Sequence, residues 1–320
     1  MNHQAQNNQQ FDVIGVGACG VDLNIEVPML PKANDKVTAN KISISSGGVT
    51  ANNIVQCAKL GLHSAWAGSM GNDGYREKIL EEFEENEVTS FPISSSLPTQ
   101  QFYIFTSRVE TAMVGLPGAT RELNASQVEK ILSPIISRAG HLHTEVAVIP
   151  LVAALTSALV ARKNNVKVLL DIDGDPNYLI EKEQIGNDKE FEELLKNTDV
   201  VKLSRSSASG LLKESINEEN IQKLLEFGPQ LAVVTLAEKG CLLASQKEVV
   251  HAKGFSVKPV DTTGAGDAFM GGLSFGILQQ WNLEKIGRFA NACGAFKATK
   301  PGTRSSGTLE EIQKFMAANN

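Results

Sequence analysis

Two periods of apolar residues run along this chain, and the point where one gives way to the other divides it. In the first half the period is two. Residues 11–17 form a short apolar run, and Val21, Leu23, Ile25 and Val27 then alternate with polar neighbours, which predicts strands with one wet face. A third run, 37–45, alternates near its end. Ile54, Val55 and Ala58 have helical spacing and predict a helix over 49–60, with Gly61 where a left-handed cap belongs. A further strand–helix unit runs through 65–86. Two β-branched runs, 100–107 and 111–116, are joined by a short polar link and read as a hairpin. The segments 21–28, 37–46, 100–107 and 111–116 are thus expected to form a small sheet of their own.

From about residue 123 the pattern becomes a regular alternation of helices and short apolar strands. That alternation is the mark of βαβ units and a parallel sheet. The expected strands are 141–146, 166–172, 199–203 and 231–236; the expected helices are 124–137, 151–164, 218–227, 268–280, 283–299 and 309–316. The reading is one α/β domain over 11–320, preceded by a disordered Gln/Asn-rich tail at 1–10. Composition adds little: 42% hydrophobic and 21% charged residues suit a sizeable core. A net charge of -6 supplies no general attraction for nucleic acid or an anionic membrane. Four scattered cysteines without a CxxC pair read as reduced thiols. With no signal-peptide pattern and no apolar stretch of about 20 residues, the expected location is the cytoplasm.

Gly15, Gly17 and Gly20 match the G-x-G-x-x-G spacing of dinucleotide-binding turns. That mechanism needs a helix to open at the third glycine. Here an alternating strand pattern follows and runs to Pro28, so the nicotinamide reading fails on context. His141, His143 and Glu145 share one strand face and could in principle ligate a metal. A strand end at the rim of a polar cleft is the more ordinary reading.

The string Asp261-Thr262-Thr263-Gly264-Ala265-Gly266-Asp267-Ala268-Phe269 stands directly before an apolar helix. Small side chains at Gly264, Ala265 and Gly266 leave their amides open where a helix has unpaired donors, which describes an anion hole. The helix dipole favours negative charge developing there. Asp267 follows immediately and is a candidate base for the proton of an attacking hydroxyl.

This string resembles the C-terminal signature of the PfkB or ribokinase-like carbohydrate kinases, and the resemblance spans roughly residues 11–315. Its N-terminal counterpart is Gly47-Gly48-Val49-Thr50-Ala51-Asn52, then Leu60-Gly61 and Gly68-Ser69-Met70-Gly71-Asn72-Asp73-Gly74. The resemblance implies a three-layer fold, with a central, mostly parallel sheet and a small β-sheet lid. It implies ATP-dependent phosphorylation of a sugar hydroxyl with Mg²⁺, and it puts Asp22, Gly47, Gly48 and Asn52 against the sugar. Thr235, Ala237, Gly240, Val257 and Asn291 would lie along the nucleotide. Asp261, Thr263, Gly302 and Ser306 would hold a monovalent cation such as K⁺.

Two departures stand out. Ala237 replaces a glycine of the nucleotide turn, and Ser204-Arg205-Ser206-Ser207 stands where many relatives carry Asn-x-x-Glu, whose glutamate orients the waters of Mg²⁺. Asp171, Asp173 and Asp175 are the nearby carboxylates. Two alternatives remain open: a nucleoside kinase, should Phe102, Tyr103 or Phe105 offer a stacking face, and a sensor that binds without efficient turnover. Lys41, Arg108 and Arg121 are candidates to meet an anionic sugar, although such residues are usually solvated. Exposed lid edges make a homodimer through the lid an expectation as well.

Overall fold

Val168, Leu170 and Ile172 enter one apolar layer while Leu169 enters another. Successive side chains of a strand point to opposite faces, so such a segment supplies both sides of a covered sheet. The computed structural model describes residues 10–319. Its large sheet uses β1 (Phe11–Val16), β4 (Ser64–Gly71), β5 (Val88–Ser95), β8 (Ala139–Val146) and β9 (Lys167–Ile172). It continues with β10 (Val200–Ser204), β11 (Leu231–Thr235), β12 (Cys241–Ser245) and β13 (Val249–Ala252). Their order is β13-β12-β11-β10-β9-β8-β1-β4-β5. All neighbours from β11 to β5 are parallel, while β12 and β13 add antiparallel pairs at one edge.

A second sheet contains β2 (Gly20–Glu26), β3 (Lys41–Gly47), β6 (Gln100–Thr106) and β7 (Thr111–Leu116), in the order β3-β2-β6-β7. Only the β2–β6 pair is parallel. Residues 37–40 stay outside β3, contrary to expectation.

Helices cover both faces of the large sheet. The first is α1 (Val49–Lys59), followed by α2 (Gly74–Glu85), α3 (Ala125–Gln127), α4 (Ser133–Ile136) and α5 (Leu151–Lys163). The rest are α6 (Pro176–Glu181), α7 (Asp188–Lys196), α8 (Arg205–Leu212), α9 (Ala265–Leu278), α10 (Leu283–Ala298) and α11 (Leu309–Ala318). Apolar residues of α1, α9 and α10 pack with Val13 and Trp66; those of α5 and α7 pack with Ile14 and Val16 on the opposite side.

Three expected helices differ, each for a local reason. The one at 124–137 is broken by a π-helical turn, Val128–Leu132. Pro134 follows it and has no amide to donate to the preceding turn. The one at 218–227 is a 3₁₀ helix, Ile221–Phe227, because the side chains of Asn217 and Asn220 bond the backbone just before it. The third, α9, begins at Ala265 instead of 268, which brings Gly266 and Asp267 into its first turn.

Except for Gln10, the expected tail lies outside the described residues. Among the described residues no helix is long and apolar enough to cross a membrane. All four cysteines are free and buried.

Candidate active site

The turn that opens α9 depends on glycine. Gly264 has φ 79°, and a β-carbon there would lie 2.4 Å from the Thr303 carbonyl oxygen. The amide of Ala265 donates to Thr262 O at 3.1 Å, and that of Ala268 to Gly264 O at 2.9 Å. Among the described residues, no acceptor meets the amides of Gly264, Gly266 and Asp267. The expected anion hole is therefore corrected at one position: the Ala265 amide closes the turn, and the open donors flank it.

Asp267 sits half-buried between two sets of charges. Burial, together with Asp171 and Asp173, holds its carboxyl well above the usual aspartate range, against the pull of Lys202 and a hydrogen bond from Asn52. A carboxylate raised in this way is a stronger base. Asn52 Nδ2 donates to Asp267 Oδ2 at 2.7 Å, while Asn52 Oδ1 accepts from Arg304 Nε at 3.0 Å. Both ends of the amide are thus engaged within the protein.

Arg304 was not singled out from the sequence, yet it joins three parts of the site. Its Nη2 donates to Gly47 O at 3.0 Å, its Nη1 lies 3.5 Å from Glu82 Oε2, and the residue is only 7% exposed. The neighbouring Thr303 hydroxyl donates to Asp22 Oδ2 at 3.0 Å. Burial raises the Asp22 pKa, with Thr303 and Arg304 opposing. At Gly47 a β-carbon would lie 2.5 Å from that same Oδ2, and Gly48 has φ 101°. Asp22, Gly47, Gly48, Asn52 and Asp267 are therefore brought together, as their sequence motifs required.

Beneath them runs a row set by strand register. Glu145 on β8 lies opposite Asp171 on β9, which lies opposite Lys202 on β10. Lys202 Nζ donates to Asp171 Oδ1 at 2.8 Å. The same Nζ is 3.1 Å from where a β-carbon of Gly266 would stand, so its charge lies against the turn of open amides. Glu145 Oε2 accepts from the Thr50 amide at 2.9 Å, the Thr50 hydroxyl at 2.6 Å and the Ala18 amide at 3.3 Å. Burial nonetheless pushes its carboxyl up to about 7. His141 bonds Ser274 at 2.9 Å, and burial drives His143 down to about 3. These three residues lie under the site instead of at a cleft rim, and no group of three metal-ligating side chains occurs among the described residues.

Of the expected nucleotide residues, Ala237, Gly240 and Asn291 come together around Ala252. Gly240 has φ 95°, a β-carbon on it would lie 2.1 Å from Ala252 O, and Asn291 Nδ2 donates to that same oxygen at 2.9 Å. Val257 is half-buried further along, and Thr235 Oγ1 reaches Leu203 O at 3.4 Å. Ala237 has φ 54°, a left-handed conformation that explains why a glycine suits this turn. Ser204 caps α8 through Ser207 N, with Oγ atoms 2.7 Å apart. Asp175 caps α6, which leaves Asp173 as an exposed carboxylate at the end of β9. Arg121 is engaged with Glu183, whereas Lys41 and Arg108 line a separate concavity with Asn24 and Glu26.

The model of the pfkB family of carbohydrate kinases matches residues 10–310. This chain belongs to that family. As a member it is a phosphotransferase that uses an alcohol acceptor, and relatives are similar along nearly their whole length. Mouse ribokinase is 29% identical, over 94% of this chain and 93% of its own. The crystal structure of Thermotoga maritima ribokinase has a TM-score of 0.83 at 27% identity, covering 96% of this chain and 99% of that one. The structure of Arabidopsis thaliana ribokinase with ribose and ATP has a TM-score of 0.84 at 22% identity, covering 96% and 98%.

Proposed function

We propose that this kinase transfers the γ-phosphoryl group of ATP to a hydroxyl of a sugar or sugar derivative. One observation carries the reading: Asp267, with its raised pKa, is held by Asn52 in the first turn of a helix whose neighbouring amides are open. Asp267 accepts the proton of the sugar hydroxyl as that oxygen bonds to phosphorus, and the bond from phosphorus to the ADP oxygen breaks. The amides of Gly264 and Gly266 and the ammonium of Lys202 meet the charge on the transferring group. Asp22 and the backbone of Gly47 and Gly48 offer the polar contacts a polyol needs, under the small sheet as a lid.

Mg²⁺ bound with the nucleotide would neutralise phosphate charge, and its fit rests on carboxylate supply. Asp171 is consumed by Lys202 and Asp175 by its helix, so Asp173 is the side chain that would hold or orient the ion. Thr235, Ala237 and Gly240 would follow the phosphates, with Val257 and Asn291 near the base. A sugar acceptor is favoured by Asp22 and the paired glycines, while Phe102, half-buried and in register with Asp22, is the aromatic residue through which a nucleoside acceptor would stack. We put the reaction in the cytoplasm, where ATP is available and buried free thiols persist. Exposed Ile42, Met113 and Val114 on the small sheet support pairing of two lids, which sedimentation would test.

The test is ATP-dependent turnover on a panel of free and phosphorylated sugars, using wild type and Asp267→Asn. The variant should lose kcat by about 10²–10⁴-fold while its melting temperature and KM stay close to wild type. Equal turnover by both proteins would overturn the assignment, and sugar and ATP binding without any turnover would favour a sensor.

A further inference from the structure

A K⁺ ion requires oxygens free to face it, and the Asp261, Gly302 and Ser306 carbonyls of the expected cation loop already have donors. Asp261 O accepts from Lys297 Nζ at 2.9 Å, and Asp261 Oδ2 lies 3.7 Å from the same nitrogen. Each oxygen of that carboxylate also has a backbone donor: Oδ1 accepts from Thr263 N at 2.9 Å and Oδ2 from Gly302 N at 3.0 Å. Gly302 O accepts from Ser305 N at 3.2 Å, and Ser306 O accepts from Lys59 Nζ at 3.4 Å. Thr263 O has no donor among the described residues, but the Asp261 carbonyl that would join it around a K⁺ ion already faces an ammonium.

Lys297 is the decisive residue. It lies in the last turn of α10 with its side chain 0% exposed, an expensive place for a charge without compensation. Burial lowers its pKa from the ordinary lysine value, and the charge and hydrogen bond of Asp261, with the field of Asp267, oppose that and favour the charged form. Ammonium and K⁺ are monovalent cations that accept the same kind of oxygen shell. A second cation at Asp261 O would stand beside the first and be repelled by it.

We propose that the Lys297 ammonium is the permanent monovalent cation of this loop, and that the kinase consequently needs no K⁺. The second half rests on the kinase reading; the first does not. The segment leading into α9 is clipped to the end of α10 by Val260 N and Asp261 N, which donate to Ala298 O, and to the 299–306 loop by Gly302 N, which donates to Asp261 Oδ2. That loop carries Thr303 and Arg304, which bond Asp22 and Asn52. A fixed cation at this junction holds the anion-binding turn and the sugar-facing residues in register without an exchangeable ion.

Melting curves in KCl and in choline chloride at equal ionic strength separate the possibilities, since a ligand that binds only the native state raises Tm. The wild-type chain should melt at the same temperature in both salts and turn over equally in both. Lys297→Ala should melt lower in choline chloride, with KCl restoring part of the loss, and its kcat there should fall roughly 10–100-fold. Lys297→Met keeps the apolar stem and removes only the charge, so it serves if the alanine variant folds poorly. A K⁺-specific rise in wild-type Tm or turnover would overturn the proposal, as would a Lys297→Ala chain identical to wild type in choline chloride. A wild-type chain with no turnover on any sugar would count against the kinase reading, and the melting comparison would still decide the cation.

Discussion

Lys202→Met perturbs the charge row beneath the turn of open amides and yields a signature that a packing defect would not produce. The ammonium lies 2.8 Å from Asp171 Oδ1, with side chains 6% and 0% exposed. At an effective dielectric of about 20, unit charges that close attract by about 6 kcal/mol. Desolvation of both partners offsets much of this, but removing one partner and leaving the other buried costs about 3–5 kcal/mol. Methionine replaces most of the stem, so a cavity adds little.

The remaining contact of Asp171, Asn53 Nδ2 at 3.5 Å, is too long to compensate. Burial already raises the Asp171 pKa, and without Lys202 it rises further. Its native state then holds a proton that the unfolded chain releases at about pH 4. Stability of the variant consequently falls as pH increases, by up to about 1.4 kcal/mol per unit, until the native value is passed. Because Asp171 is already raised in the wild type, the gap stays constant up to the wild-type native value and widens above it until the variant's value is passed. Urea unfolding of both proteins across this range measures it, and the Lys202→Met/Asp171→Asn double variant should recover most of the loss. Because Lys202 also lowers the Asp267 pKa, the acid limb of kcat/KM should move to higher pH in Lys202→Met. A gap that does not vary with pH, or singles whose costs simply add, would refute the reasoning.

Arg304→Met should lower stability by about 2–4 kcal/mol and reduce kcat as well, because Asn52 Oδ1 and Gly47 O lose a buried donor; Arg304→Lys should rescue little, since a single ammonium cannot reproduce the fork. Glu145→Gln should flatten the pH dependence of stability. With a native value near 7 against an ordinary 4.5, the wild-type carboxyl contributes stability below that window which is lost as pH rises through it, a swing of about 3 kcal/mol readable from melting curves. Ala237→Gly should raise stability by up to about 1 kcal/mol by relieving a left-handed alanine, whereas Gly240→Ala should lower it sharply, because the new methyl would stand 2.1 Å from Ala252 O.

Much of the fold was legible because its signals are local. A strand such as β2 shows its period within seven residues, and α1 declares both its face and its closing glycine within a dozen. The nine-residue string that opens α9 and the paired glycines before α1 singled out Asp267, Gly47 and Gly48 in the same way. Strands β5, β12 and β13 gave weaker patterns; β12 is a short antiparallel piece buried on both faces, and its apolar run does not distinguish strand from helix.

The chain of letters alone therefore determined the layers, most elements and the residues of two motifs, because backbone geometry converts short-range spacing into faces and turns. It could not show which charges leave water. Nothing local in the sequence marks Arg304, Lys202 and Lys297 as buried, since residues of their types are mostly exposed. Their partners are remote or set by register: Arg304 meets Asn52 across 252 positions, Lys297 meets Asp261 across 36, and Lys202 meets Asp171 across 31. Only tertiary packing removes the water between such groups, and electrostatic strength depends on that removal. The raised Asp267, the braced Asn52 and the cation held at Asp261 are accordingly properties of the folded chain.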